Sequence, residues 1–240
     1  MNKNWILIAL FSLGTMTSQA QFGKLLDKGK ELVGGTTGKG DIAGGLKEAL
    51  EVGVDDAVQS LSANNGYFDS PYKILLPEDA RKVTSKVSKL PGFKNVESDL
   101  ISKMNEAAEI AAKKATPIFV NAIKQMDFND ATNILMGDGD AATRYLENTS
   151  RTELYSEFMP VIVDALDEVN AREYWRSAVG AYNNIPFTSK LNPELDDHVN
   201  NSALNGMFEL IQSKEEGIRG DKSLRTSPLL KEIFAQQDKS

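Results

Sequence analysis

Residues 41–61 read DIAGGLKEALEVGVDDAVQSL. Ile42, Leu46, Ala49, Leu50, Gly53, Val54, Ala57, Val58 and Leu61 recur at intervals of three and four, the spacing that puts apolar side chains on one face of a helix. Asp41 stands where an N-cap carboxylate belongs. Gly53 falls on the buried face, where a missing side chain would let another helix cross closely. Asn64-Asn65-Gly66 supplies residues that tolerate the left-handed conformation and ends the element.

The same period continues through most of the chain. A loop over 67–77, with a short extended piece at Lys73–Leu76, leads to Pro77 at the head of a helix that runs to Leu90 and is stopped by Pro91-Gly92. Val96, Leu100, Met104, Ala107 and Ala111 line a slim, alanine-rich helix that Pro117 should kink or break. Asp127 to Met136 forms another, and Asp138-Gly139-Asp140 starts one through Asn148. Thr149 and Ser150 are placed to cap a third, striped by Leu154, Phe158, Ile162 and Leu166 and bent at Pro160. Further helices cover Asn170–Tyr182, a segment from Asp196 or Asp197 through Ile211, and Pro228–Phe234. Alternation of strand length is absent, and so is any fixed repeat. The expected architecture is therefore all-α: an irregular bundle of about eight to ten helices with no significant sheet.

The N-terminus carries a different signal. Lys3, an apolar run from Trp5 to Leu13 and Ser18-Gln19-Ala20 have the layout of a secretory leader cut after Ala20. The run is too short for a permanent membrane span, which takes about 20 apolar residues. This predicts three parts: a signal peptide over 1–20, a flexible glycine-rich arm over 21–40, and a single helical domain over 41–237. The expected location is the periplasm. No second long apolar run exists to anchor the mature chain.

Composition narrows the function. The chain has 240 residues and a net charge of −7, with no cysteine. Loss of the leader, which holds Lys3 and no acid, makes it one unit more negative. An acidic chain of this kind has no electrostatic grip on nucleic acid or on anionic lipid headgroups. Without cysteine there is no disulfide, no thiol nucleophile and no site for lipid attachment after export, so a lipoprotein is excluded. His198 is the sole histidine. It sits in Asp196-Asp197-His198, whose side chains diverge by about 100° per residue on a helix, and reads as a surface histidine beside two capping acids.

Oxygen ligands alone remain for a metal, and Asp138-Gly139-Asp140 lacks the third acid and the distal Glu of a calcium loop. Gly34–Gly40 has Lys39 but neither a preceding strand nor the Lys-Ser/Thr of a phosphate loop. The acid pairs Asp55-Asp56 and Glu215-Glu216 read as solvent-facing. No cofactor is expected. One region is denser in polar groups than packing requires: Asp127, Asp130, Asp138, Asp140, Thr143, Arg144, Tyr145 and Arg151. It reads foremost as an ion-pair network locking three short helices. The alternative is an anion pocket, with arginine forks recognising a phosphate or carboxylate. Tyr174, Trp175, Tyr182 and Phe187 are a second candidate, either core or the wall of a hydrophobic-ligand groove.

Phe128–Leu146 (FNDATNILMGDGDAATRYL), Gly45–Leu50, Tyr182–Phe187 and Ala203–Phe208 together resemble the bacterial envelope family known as domain of unknown function 4197. The resemblance covers about residues 41–236, and Gly-Asp-Ala-Ala-Thr at 139–143 is its most distinctive part. It implies an exported helical protein of Gram-negative type, and it carries over no catalytic residue, cofactor or partner. The reading is of a non-enzymatic periplasmic protein that binds an envelope partner or a small ligand. The alternatives are a hydrolase-type enzyme or anion site built around Arg144, and a lipid or hydrophobic-ligand carrier.

Overall fold

The computed structural model describes residues 39–168, 170–187, 190–191, 194–225, 228–235 and 238. The leader and nearly all of the arm expected over 1–40 therefore lie outside the described residues. Nine α-helices are found among those described: α1 Lys39–Ser62, α2 Glu78–Val87, α3 Val96–Ala112, α4 Ala115–Gln125, α5 Phe128–Met136, α6 Ala141–Glu168, α7 Ala171–Asn183, α8 Asp196–Gly220 and α9 Pro228–Phe234. A 3₁₀ turn at Lys222–Leu224 joins the last two, and no strand occurs among the described residues. The protein is an all-α bundle, as the periodicity predicts.

The long α6 is the axis. It packs against α3, α4, α5, α7 and α8, with α8 its most extensive neighbour. The predicted break at Thr149-Ser150 does not occur. The Thr149 hydroxyl donates to the Tyr145 carbonyl (2.7 Å) and the Ser150 hydroxyl to that of Leu146 (2.5 Å). Both bond backward by one turn, as interior hydroxyls do, instead of forward onto free N–H groups as caps do. Leu146, Ser150, Leu154, Phe158 and Ile162 then form one unbroken buried ridge at intervals of four. Two other starts also differ from expectation. α1 begins at Lys39, so Asp41 lies inside its first turn, and α2 begins after Pro77, which occupies the N-cap position.

Small residues let α3 sit in the middle. Ala107, Ala108, Ala111 and Ala112 are fully buried beside Leu100 and Met104. Pro117 splits α3 from α4 by falling in the first turn of α4, where its missing N–H costs nothing. Phe119 of α4 meets Phe208 of α8 edge to face, centroids 5.7 Å apart. Gly53 does not mark a helix crossing: a side chain there would meet open space. Asn65 takes the left-handed conformation (φ 60°) that the Asn-Asn-Gly turn requires.

The C-terminal end is fastened by a buried guanidinium. Arg225 donates to the Ile218 carbonyl (2.9 Å), the Arg219 carbonyl (3.1 Å) and both Asp238 oxygens (2.8 and 3.1 Å). The Phe234 ring of α9 lies against Arg219 and Arg225, at 5.4 and 5.6 Å.

Two predictions follow from this packing. Ala111→Leu inserts volume where none is free and lowers stability by about 1–3 kcal/mol, read as a reduced urea midpoint with an unchanged slope. The hydrogen bonds from Arg225 and Lys222 hold the Asp238 carboxyl down to about 2. Its contribution is complete above the ordinary carboxylate value near pH ~4 and disappears as pH falls through about 2. An NMR titration of the Asp238 carboxyl carbon checks the midpoint.

Candidate functional site

The polar region from 127 to 151 resolves into separate local pairs. Asp127 and Asp130 form a capping box at the start of α5: the Asp130 N–H donates to Asp127 Oδ1 (2.8 Å) and the Asp127 N–H to Asp130 Oδ2 (3.0 Å). Tyr145 lies near them, its hydroxyl 3.5 Å from the Ala122 carbonyl. Burial, then the charges of Asp130 and Asp127, push its phenol up. Arg144 is half-exposed and reaches Asp138 (3.0 Å) and Asp140 (2.9 Å). Arg151, two turns further on the continuous α6, donates to Glu147 (2.8 Å) and to Asn205 of α8 (2.6 Å). The two arginines thus share a helix, but each is spent on its own neighbours.

The decisive residue here was not among the sequence candidates. Glu215 is buried, against the expectation that Glu215-Glu216 faces solvent. Its carboxylate accepts from the N–H of Ala142 (2.9 Å), the N–H of Thr143 (2.8 Å) and the Thr143 hydroxyl (2.8 Å). It therefore caps the free N–H groups of α6 from a distant helix, at the end where the helix dipole favours negative charge. Asp140, which directly precedes α6, turns to Arg144. Arg219, one turn after Glu215, pairs with it (2.9 and 2.7 Å) and donates to the carbonyls of Ile134 (2.7 Å) and Leu135 (3.2 Å) at the end of α5. One buried ion pair on α8 thus satisfies the C-terminus of α5 and the N-terminus of α6 together. The glycine turn at 137–140 is what it clamps. Glu215 falls four residues beyond Ile211 on the apolar stripe of α8, with Arg219 four further on, and that spacing is the signal the sequence carried.

The other candidates divide in the same way. Trp175 and Tyr182 are buried, and Tyr174 stacks on Phe93 (5.9 Å). Phe187 is fully exposed and takes φ 64°, so it belongs to neither a core nor a groove. Asp196 and Asp197 lie in the first turn of α8 without capping it. Asp196 faces Arg172 at 3.3 Å, where burial pushes its carboxyl up, and Asp197 accepts from the Tyr155 hydroxyl (2.5 Å). His198 is not a free surface group: its Nε2 lies 2.8 Å from the Leu75 carbonyl, which places the proton on Nε2.

That contact belongs to an open groove of about 400 Å³ between the extended strip 71–77 and α8. The strip is fastened at several points. Asn105 donates to the Ile74 carbonyl (2.9 Å) and accepts from the Ile74 N–H (2.8 Å), and Arg81 Nε donates to the Leu76 carbonyl (3.1 Å). Beside it the buried Tyr67 hydroxyl donates to the Ala203 carbonyl (2.8 Å). Where strip and helix come closest the helix has Gly206, at which a Cβ would stand 2.9 Å from that of Tyr72. Along α8 the groove is lined by His198, Ser202, Asn205, Gly206 and Glu209, one helical stripe. An apolar crevice bounded by Leu46, Leu50, Val54, Ile218, Leu230 and Phe234 holds only about 50 Å³, against the several hundred that a drug-sized ligand takes. Among the described residues no three acids or histidines cluster as metal ligands, and no helix is long and apolar enough to cross a membrane.

An all-α protein with a helix-terminus lock in its polar segment and an open groove on another face of α8 is the class that fold and geometry define. The family description that matches, over residues 36–235, is "Protein of unknown function (DUF4197)", and the chain belongs to that family. No curated protein and no solved structure matches it.

Removing Glu215 strands Arg219 in the interior and uncaps α6. Glu215→Ala therefore costs about 3–5 kcal/mol, a fall in melting midpoint on the order of 10 °C. Arg144→Ala, at the exposed pairs, leaves the midpoint unchanged within error. Thermal unfolding of the two variants side by side is the check.

Proposed function

We propose that this is an exported, non-enzymatic protein that binds a partner or small ligand in the cell envelope, and that the groove between strip 71–77 and α8 is where it does so. The groove carries the proposal. It is an opening of ligand size, and its walls are held by hydrogen bonds from three separate helices, so little ordering is left to be done on binding. Export rests on the leader-like sequence of residues 1–20.

The two alternatives have less support. An anion or hydrolase site around Arg144 would draw on side chains already committed to Asp138 and Asp140. The natural anion site at the head of α6 is filled by Glu215. A carrier of lipid or another hydrophobic ligand needs more apolar room than the crevice of about 50 Å³ provides.

The test places a photo-crosslinking residue at Leu75, on the groove wall, and at the exposed Glu153 of α6 as control. Irradiated cells are then fractionated and the adducts identified by mass spectrometry. The expected result is an adduct specific to Leu75, on a periplasmic chain that begins at Gln21. A cytosolic chain that keeps Met1 overturns export. Equal labelling from both positions overturns the groove, and turnover of a hydrolase substrate that Arg144→Ala abolishes in a folded protein overturns the non-enzymatic reading.

A further inference from the structure

We propose that the groove takes an extended peptide segment of about five residues with an acidic group at one end and a basic group at the other. The inference rests on the groove being the binding site and goes on to name what it binds. The strip runs antiparallel to the helix, since Tyr72 sits over Gly206 while the Leu75 carbonyl meets His198. The lining stripe from His198 to Glu209 is thus about 16 Å long at the helical rise per residue, which an extended chain covers in about five residues.

Four charged side chains line the groove: Glu78 faces Lys82 (3.7 Å) and Lys73 lies over the Phe68 ring (3.4 Å), which leaves Arg81 and Glu209, at opposite ends, as the charges open to a ligand. Beyond His198 stands Arg81, exposed, oriented by its Nε bond to Leu76, with no hydrogen-bond partner for its two terminal nitrogens among the described residues. At the other end Glu209 is exposed and has no ion-pair partner among the described residues. The middle is polar on the helix side, with the Ser202 hydroxyl and the Asn205 amide. It is apolar on the strip side, where Leu75 is held half out of the core.

A polyanion needs a continuous basic lining, and the presence of Glu209 and Glu78 denies it one. An acyl chain needs a continuous apolar lining, and Ser202 and Asn205 interrupt it. A peptide needs what is there: hydrogen-bonding groups for its backbone along one wall, apolar contact for a central side chain along the other, and opposite charges at the ends.

The test uses the protein from Gln21 onward, labelled with ¹⁵N, and capped pentapeptides as probes: Lys-Ala-Leu-Ala-Glu, with Lys-Ala-Leu-Ala-Lys and Glu-Ala-Leu-Ala-Glu as single-sign controls. The expected result is that the dipolar peptide shifts the amide signals of Ser202, Asn205 and Glu209 and binds at least five-fold more tightly than either control. Arg81→Glu and Glu209→Lys each weaken it at least five-fold, and the double variant, whose charges are exchanged end for end, recovers the affinity. Both substitutions are at exposed positions, and the unperturbed spectrum of each of the three variants reports that it is folded.

Equal binding of the three peptides, or no recovery in the double variant, overturns the inference. If instead N-acetylglucosamine oligomers or phosphatidylglycerol vesicles shift those amides and the peptides do not, the peptide is wrong and the groove stands as a site. If nothing shifts them and Leu75 gives no specific cross-link in cells, both readings fall.

Discussion

The buried Glu215–Arg219 pair is the constraint on which the arrangement of helices depends. A tight glycine turn between two helices leaves carbonyls unpaired at the end of one and N–H groups unpaired at the start of the next. Here the turn between α5 and α6 is largely exposed, but Ile134, Leu135, Ala142 and Thr143, which carry the groups concerned, are buried. An acid and a base one turn apart on α8 meet both needs at once, and each neutralises the other. Buried ion pairs often contribute little net stability but are costly to break. This pair has that character, and it also fixes the axial position of α8 against α6, the most extensive helix contact among the described residues.

From that contact the groove inherits its shape. With α8 set against α6, its opposite edge presents the stripe from His198 to Glu209. The strip beside it lies neither in a sheet nor in a helix, and a segment of that kind holds its place only if its backbone groups find partners. Asn105 of α3, Arg81 of α2 and His198 of α8 provide them. The sole histidine of the chain thus works as a fastening between helix and strip, which accounts for a residue type usually read as catalytic.

Most of the helices were legible because amphipathic periodicity is a local property. The stripe from Ile42 to Leu61, the Asn-Asn-Gly stop and the Pro117 break each depend on residues within a turn or two. The errors came where distant partners decide. Thr149-Ser150 looks like a cap until the ridge Leu146–Ser150–Leu154–Phe158 is read as one line. Glu215 looks exposed beside Glu216 until its place on the apolar stripe is counted. The polar residues around Arg144 form separate local pairs, and the carboxylate that caps the helix carrying Arg144 comes from α8, some 70 positions later in the chain. The groove could not be read at all, because it is made by two segments that are unrelated in sequence and meet only in the folded molecule.

Gly206 has a wider consequence. The gap between strip and helix at its narrowest is set by a hydrogen atom standing where every other amino acid has a carbon. Alanine there would require the strip to move outward at Tyr72. A single codon therefore acts as the gauge of that spacing, and it is tied to the interior, because the same carbon would stand 3.3 Å from the ring of the buried Tyr67.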